Sequence, residues 1–251
     1  MSPNPDAPMA TLGDDLVLLS VWQGDGKISS ANVLGIGLMG AELVLLAASG
    51  RVVIPNGRIT VTDPTPTGDA EADAALASLA SAQRPPRANS WCSRPRRGIC
   101  DAYLARLEAA GLIRAERRTM LRFIPVTRWR ITDPARVADA RARLDAIATG
   151  TGQVDLAQAA FGGLAHAIGL SGRLYPGREG RGPRKRLEQV AKGDLTAAPD
   201  LSTAHHAVSS SVHAASHAAV TAAVHSATHA AVSAAHSAGS GGHGGGGGGH
   251  H

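Results

Sequence analysis

Three glycines near the start of the chain have the spacing of a dinucleotide-binding turn. Gly35, Gly37 and Gly40 form the pattern G-x-G-x-x-G, and Asp63 ends a predicted strand about 20 residues further on. In a dinucleotide-binding fold such glycines let the backbone approach a pyrophosphate, and the acid binds a ribose hydroxyl. The spacing alone therefore suggests a nicotinamide or flavin site.

The elements around these glycines do not fit that site. A dinucleotide-binding turn follows a buried strand, but the residues in the strand position are the mostly polar "KISSAN" (27–32). Downstream, "GRVVIP" and "GRITVTD" lie on either side of Asn56, which predicts an antiparallel hairpin and not a parallel βαβ unit. We therefore predict a helix over residues 30–48 whose glycines allow close helix packing, and no cofactor.

Composition limits the remaining classes of function. The chain has 251 residues, 43% of them hydrophobic, and a net charge of +5, which favours an anionic partner such as phospholipid, nucleic acid or an acidic protein. Cys92 and Cys100 match neither a disulfide framework nor a zinc pattern. The apolar run 33–49 contains Glu42 and is shorter than the roughly 20 residues of a membrane span, so it predicts a buried core helix.

Apolar periodicity and capping residues predict a mainly α fold, a helical core with short β-hairpins. A first helix starts near Asp14 and turns Leu16, Leu19 and Trp22 inward. Asp69 is placed to cap a helix that runs to residue 81, and Gly111 to end a helix over 98–110. The other predicted elements are helices over 134–147, 154–169 and 183–192, and strand pairs within 51–63 and 112–131.

The composition changes at residue 201. Ten of the eleven histidines lie at or after His205, and residues 212–223 and 224–235 form a tandem repeat. The repeat holds two i,i+4 histidine pairs, His213 with His217 and His225 with His229. Such pairs can bind a metal or, protonated near about pH 6, an acidic surface, but a plain Ala-rich helix explains the pattern as well. No further ligand lies near, so no metal site is predicted. The predicted organisation is a disordered N-terminus (1–10), a helical domain (11–200), an Ala/His-rich helix (201–237) and a disordered Gly/His tail (238–251).

Five segments occur in a recognisable order along the chain. They are "DDLVLL" (14–19), "GLMGAELVLLAASGRVV" (37–53), "ITVTDPTPTGDAEADAAL" (59–76), "LARLEAAGLIRAERR" (104–118) and "KRLEQVAKGD" (185–194). Together they resemble the Golgi phosphoprotein 3-like family, in its bacterial branch, over roughly residues 11–235. The resemblance implies a helical Golgi phosphoprotein 3-like domain without enzymatic activity.

The resemblance also implies partners and a location. Eukaryotic members of the family bind phosphatidylinositol 4-phosphate at Golgi membranes and retain glycosyltransferases by binding their cytosolic tails, and a hairpin mediates self-association. For this chain it implies a cytoplasmic adaptor, peripheral on the inner face of the membrane, that binds an anionic phospholipid headgroup and protein partners. It further implies a homo-oligomer formed through the 51–63 hairpin.

The family's lipid pocket holds one tryptophan and several arginines, because guanidinium groups grip a phosphate and tryptophan enters the headgroup layer. By resemblance, Ser30 occupies the tryptophan position, Met39 and Cys100 occupy two arginine positions, and Arg97 is the one arginine retained. We therefore predict generic anionic-lipid or protein-partner binding in preference to a specific phosphoinositide pocket. The candidate lipid-binding residues are Arg97, Arg94 and Arg96.

An arginine-rich stretch leaves a second class of function open. Residues 84–130 hold twelve arginines and three carboxylates, a net charge of +9, and residues 178–186 hold a smaller cluster. The helix over 98–110 and the strand pair after it imitate the helix and wing of a winged-helix domain. Nucleic-acid binding through Arg117, Arg118 and Arg122 is therefore the alternative. Any single arginine in these clusters could equally be a solvated surface residue without a binding role.

Overall fold

The computed structural model describes residues 11–23, 26–28, 30–120, 124–195 and Thr221. In this part of the chain the helices are α1 Leu12–Gln23, α2 Ala31–Ala48, α3 Ala70–Ala80, α4 Ala88–Cys92, α5 Ile99–Ala109, α6 Pro134–Thr149, α7 Leu156–Ala167, α8 Leu170–Leu174 and α9 Arg181–Lys192. The strands β1 Val52–Val53 and β2 Thr60–Val61 pair antiparallel, as do β3 Ile113–Met120 and β4 Ile124–Ile131. The predicted mainly helical fold with short hairpins is confirmed.

The centre of the fold is α2, which is apolar on all sides. Ser30 caps its start by accepting a hydrogen bond from the backbone N–H of Val33 (3.4 Å), and thirteen of its eighteen residues are buried. It packs against α1, α3, α4, α5 and α7. Among the described residues it is the one helix long and apolar enough to cross a membrane, yet 72% of that stretch is buried inside the protein. Such burial is typical of the core helix of a globular domain.

The glycines of the G-x-G-x-x-G pattern lie within α2, so they do not form a strand-to-helix turn. A Cβ atom on Gly35 would come within 2.9 Å of Pro95, and one on Gly37 within 2.6 Å of Ile168. Gly40 is also buried. The prediction that these glycines let neighbouring segments approach the helix is confirmed for Gly35 and Gly37.

The predicted inward face of α1 is correct except at its end. Leu16 and Leu19 are fully buried, but Trp22 is 45% exposed, so its predicted place in the core is wrong. The helix is buried on all sides from Gly13 to Val21, and Trp22 lies directly beyond that buried stretch. The Trp22 ring instead lies beside the guanidinium of Arg141, 5.8 Å from its centroid.

One arginine joins the ends of three helices. The Arg106 guanidinium of α5 binds Asp14 of α1 through two nitrogens (3.0 and 2.5 Å) and Asp69 through a third contact of 2.6 Å. It also donates to the Thr11 hydroxyl (2.9 Å) and stacks on the Tyr103 ring at 4.4 Å. Asp69 in turn caps α3, as predicted, so this cluster fixes α1, α3 and α5 relative to one another.

The second acid of α1 holds α6. Asp15 is buried and forms ion pairs with Arg136 and, at 2.6 Å, with Arg143. Burial raises the pKa of Asp15, and the two arginines oppose that shift. Neighbouring carboxylates on one helix turn therefore anchor two different regions of the protein.

Most of the other predicted elements are present with small shifts at their ends. Gly111 follows α5 with a positive φ of 72°, the conformation expected of a glycine that ends a helix. The short helices α4 and α8 were not predicted. The predictions for residues 1–10, 201–237 and 238–251 lie outside the described residues, apart from Thr221.

We expect Arg106→Met to lower the free energy of unfolding by about 3 kcal/mol, because it leaves two largely buried carboxylates without their cation. Urea denaturation measures the change. Arg178→Met, at an exposed arginine, is the control and should cost less than about 0.5 kcal/mol. Equal stabilities of the two variants would contradict a structural role for the Arg106 cluster.

We expect Gly37→Ala to destabilise the protein by about 1–3 kcal/mol, since the added methyl group clashes with Ile168. That cost outweighs the gain of up to about 1 kcal/mol that alanine brings to a helix. Gly172→Ala in α8, where a Cβ meets nothing within 4 Å, is the matched control and should be neutral or stabilising. A second change, Ile168→Ala, should make Gly37→Ala less costly; a Gly37→Ala variant more stable than the wild type would refute the packing constraint.

Candidate functional site

The candidate arginines lie on the turn between α4 and α5, residues 93–98, called here the arginine turn. Pro95 packs against Gly35 of α2, which has no side chain to keep it away. Gly98 adopts a φ of +78° and precedes α5, and the backbone N–H of Ile99 donates to the carbonyl of Arg96 (3.1 Å). The turn is thus held against the N-terminal half of the central helix.

Arg96 points inward from this turn. One of its guanidinium nitrogens binds the Glu42 carboxylate of α2 and lies 3.3 Å from the Glu71 carboxylate of α3. The same nitrogen donates to the Glu71 carbonyl at 3.2 Å. Arg96 therefore ties the turn to two helices and is committed to carboxylates of its own chain. Of the three candidate arginines it is the one least suited to an external anion.

Glu42 is a carboxylate inside an apolar helix. It is 1% exposed, and its Oε2 atom has no hydrogen-bond partner among the described residues. Burial raises the pKa of Glu42 to about 8, and the nearby Arg96 cation limits that rise. Near neutral pH the carboxyl group thus holds a proton that an exposed glutamate would have lost.

Arg94 and Arg97 point outward from the arginine turn. Both side chains are exposed, and neither has a carboxylate within ion-pair distance in the described part of the chain. Chemically, this surface can attract a phosphate or carboxylate group from solution.

The structure brings together only some of the residues that the resemblance assigns to the family's lipid pocket. Ser30 is exposed at the start of α2, and the Cys100 thiol at the start of α5 donates to the Ala31 carbonyl (3.3 Å). Burial raises the pKa of Cys100 to about 11, so this thiol stays neutral. Met39 lies deeper in the core and is 1% exposed. Arg97, Ser30 and Cys100 thus share one end of the molecule, whereas Met39 is covered.

The remaining arginines of the arginine-rich stretch play different roles. Arg106 is taken up by the cluster with Asp14 and Asp69. Arg114 and Arg130 face each other across β3 and β4, and Arg117 is exposed one residue beyond Glu116. The predicted phosphate contacts of Arg118 and Arg122 lie outside the side chains that the structure describes. The stretch therefore does not form one uniform basic face.

The α5 helix does not present a basic surface. Its exposed positions are Asp101, Ala105, Glu108 and Ala109, and its arginine, Arg106, is bound to Asp14 and Asp69. A recognition helix of a winged-helix domain would lie against phosphates and base edges. Two exposed carboxylates there oppose such contact.

Two further groups bear on catalysis and metal binding. His166 forms a hydrogen bond between its Nδ1 atom and the Ser171 hydroxyl (3.0 Å), and burial lowers the pKa of His166. Ser171 is 4% exposed, which leaves little access for a substrate. No group of three or more His, Cys, Asp or Glu side chains is arranged to hold a metal among the described residues, which exclude most of the histidines.

Sequence reasoning missed the carboxylates that bind Arg96. Glu42 and Glu71 lie 54 and 25 residues from it, so no local pattern connects them. The one available signal was Glu42 itself, a single acid in an otherwise apolar run, which calls for a cation in the folded protein.

The raised pKa of Glu42 predicts a pH-dependent stability. Between its usual value of 4.5 and about 8, the folded protein keeps a proton that the unfolded chain has lost. The free energy of unfolding therefore falls as the pH rises, by up to about 1.4 kcal/mol per pH unit from this group. In Glu42→Gln this contribution is absent, so the variant should gain stability relative to the wild type from pH 5 to pH 8.

Urea denaturation across that pH range tests the prediction. Glu188→Gln, at an exposed glutamate paired with Lys192, is the control and should leave the slope unchanged. Parallel pH profiles for the wild type and Glu42→Gln would rule out the proposed protonation.

The family of the chain follows from comparison with known proteins. The family model described as Golgi phosphoprotein 3 (GPP34) matches residues 12–223. That range begins at α1 and contains every helix and strand described above, including the arginine turn. A search of curated proteins gave no match. Because the matched residues make up most of the chain, the protein belongs to the Golgi phosphoprotein 3 (GPP34) family.

Proposed function

We propose that this protein is a non-catalytic adaptor that binds anionic membrane surfaces through the arginine turn. The observation that carries the proposal is the orientation of Arg94 and Arg97, both exposed and without a carboxylate partner among the described residues. The turn that bears them is fixed by Pro95 and Arg96, so little ordering is required when an anion binds.

Electrostatics supports a surface interaction. A basic side chain near an anionic bilayer contributes about 1 kcal/mol, and the attraction is screened by salt. Membership of a family that binds lipids and proteins is consistent with this role.

The residues at the positions of the family's lipid pocket indicate which kind of lipid this protein binds. A specific phosphoinositide site needs several guanidinium groups around one headgroup. Here Met39 is buried, Cys100 is neutral and Ser30 is too short to enter the headgroup layer. We infer that binding depends on the charge density of the surface and not on the phosphoinositide headgroup.

The adaptor role, the location at the inner face of the membrane and self-association through the 51–63 hairpin remain part of the proposal. In that hairpin, Val52 pairs with Val61 and Arg51 binds Asp63. Nucleic-acid binding is not proposed, since the outward positions of α5 carry Asp101 and Glu108.

Flotation with phosphatidylcholine vesicles, with and without phosphatidylglycerol, tests the proposal. The wild type should bind only the anionic vesicles, and less at high salt. The double variant Arg94→Gln/Arg97→Gln should bind roughly 30-fold more weakly, at about 1 kcal/mol per lost charge. The matched control, Arg178→Gln/Arg181→Gln, removes two exposed arginines elsewhere and should bind like the wild type.

Equal losses in the two double variants would mean that net charge, and not the arginine turn, drives binding. Failure of the wild type to float with anionic vesicles at low salt would overturn the proposal altogether. Vesicles with phosphatidylinositol 4-phosphate at matched surface charge test the choice of lipid. A strong preference for them would contradict the inferred lack of headgroup selectivity.

A further inference from the structure

An open cleft separates the end of α1 from the strand β4. It has a volume of about 400 Å³ and is called here the Trp22 cleft. It is distinct from the arginine turn, none of whose residues lines it. The lining residues are Val21, Trp22, Gly26, Glu116, Arg128, Trp129, Arg130 and Ile131.

The cleft exposes a large aromatic ring. Trp22 is the one large apolar side chain that is exposed in the described part of the chain. Leaving an indole in water forgoes the stabilisation that its burial would bring. A flat ring at the rim of a cleft offers a surface on which another planar group can stack.

Positive charge gathers beside this ring. Arg130 and Arg114 lie directly opposite each other on β4 and β3, and like charges in that position destabilise a hairpin. The Arg130 side chain is 72% exposed, and its ion pair with Glu116 is long, at 3.9 Å. Arg128 also lines the cleft and lies directly opposite Glu116 on β3. An anion bound beside Arg130 would relieve its repulsion with Arg114.

The base of the cleft is rigid. Gly26 donates its N–H to the carbonyl of Val21 (3.0 Å) and accepts from the N–H of Trp129 (2.8 Å). Its φ is +78°, and a Cβ there would lie 2.6 Å from the Trp129 carbonyl oxygen. Only glycine fits this close approach, which fixes the loop after α1 against β4. A cleft fixed in advance loses little entropy when a ligand binds.

Size and shape limit the occupant. A volume of about 400 Å³ falls in the range of small-molecule pockets and is too small for a helix. An extended peptide would need the outer edge of β4, but Gly26 already occupies the N–H of Trp129 and Pro125 has no N–H. A flat bilayer makes no use of a concave surface. A compact ligand fits best.

We propose that the Trp22 cleft binds a small phosphorylated ligand with a flat aromatic ring system, a purine nucleotide being the simplest example. The ring stacks on Trp22, and the phosphate lies between Arg128 and Arg130, whose forked guanidinium groups suit it. Glu116 offers acceptor oxygens to an amino group on the ring. The proposal does not depend on the lipid-binding function.

Calorimetric titration of the whole protein with adenosine and guanosine monophosphates tests the proposal. Saturable binding is expected, together with quenching of tryptophan fluorescence in a Trp91→Phe background. Trp22→Ala and Arg130→Gln should each weaken binding by about tenfold, and both residues are exposed enough for the fold to persist. Arg178→Gln is the matched control and should bind like the wild type.

Two simpler probes separate the parts of the ligand. Adenosine without phosphate and inorganic phosphate without a ring should each bind at least about tenfold more weakly than the nucleotide. Phosphate binding as tight as nucleotide binding would reduce the cleft to a simple anion site and overturn the proposal.

The proposal would also fail if no nucleotide bound saturably at millimolar concentration. It would fail as well if Trp22→Ala weakened binding to phosphatidylglycerol vesicles and left nucleotide titrations unchanged, since the cleft would then be a membrane-contact surface. That last result would leave the vesicle experiments on the arginine turn intact.

Discussion

Glu42 places a carboxyl group in the middle of a helix that the protein buries on nearly every side, and the guanidinium group of Arg96 donates a hydrogen bond to it. The pair links the apolar core to the arginine turn, because the arginine comes from the turn and the carboxyl group from α2. Glu71 joins from α3, so two helices hold one guanidinium group. Arg96 thus fixes the position of the arginine turn, which also bears the exposed side chains of Arg94 and Arg97.

The same pattern recurs at the start of α1. Asp14 binds Arg106 of α5, and Asp15 binds Arg136 and Arg143 of α6. In each case an acid on a buried helix binds an arginine that comes from a more exposed helix or turn. A protein with few aromatic side chains therefore positions its outer helices with ion pairs as well as with apolar packing. Part of its large arginine content is structural and is not available to partners.

Local chemistry made much of the fold predictable from the sequence. The Asp69 cap, the glycine after α5 and the turn around Asn56 are short-range features whose residue types fix the backbone. Helices α4 and α8 have five residues each, too few to show a period. Trp22 was misplaced because its exposure depends on where neighbouring helices end. The partners of Arg96 were missed because ion pairs between distant residues leave no local pattern.

The burial of Met39 has a consequence for how this protein could evolve. An arginine at position 39 would lie one turn before Glu42 on the same helix face. It would compete with Arg96 for the buried Glu42 side chain and so loosen the turn that carries Arg97. An arginine at position 39, which a selective headgroup pocket would require, would then destabilise the arginine turn. A selective headgroup pocket and the proposed membrane binding through the arginine turn would therefore oppose each other, and passage from one to the other requires coordinated changes on α2 and in the arginine turn.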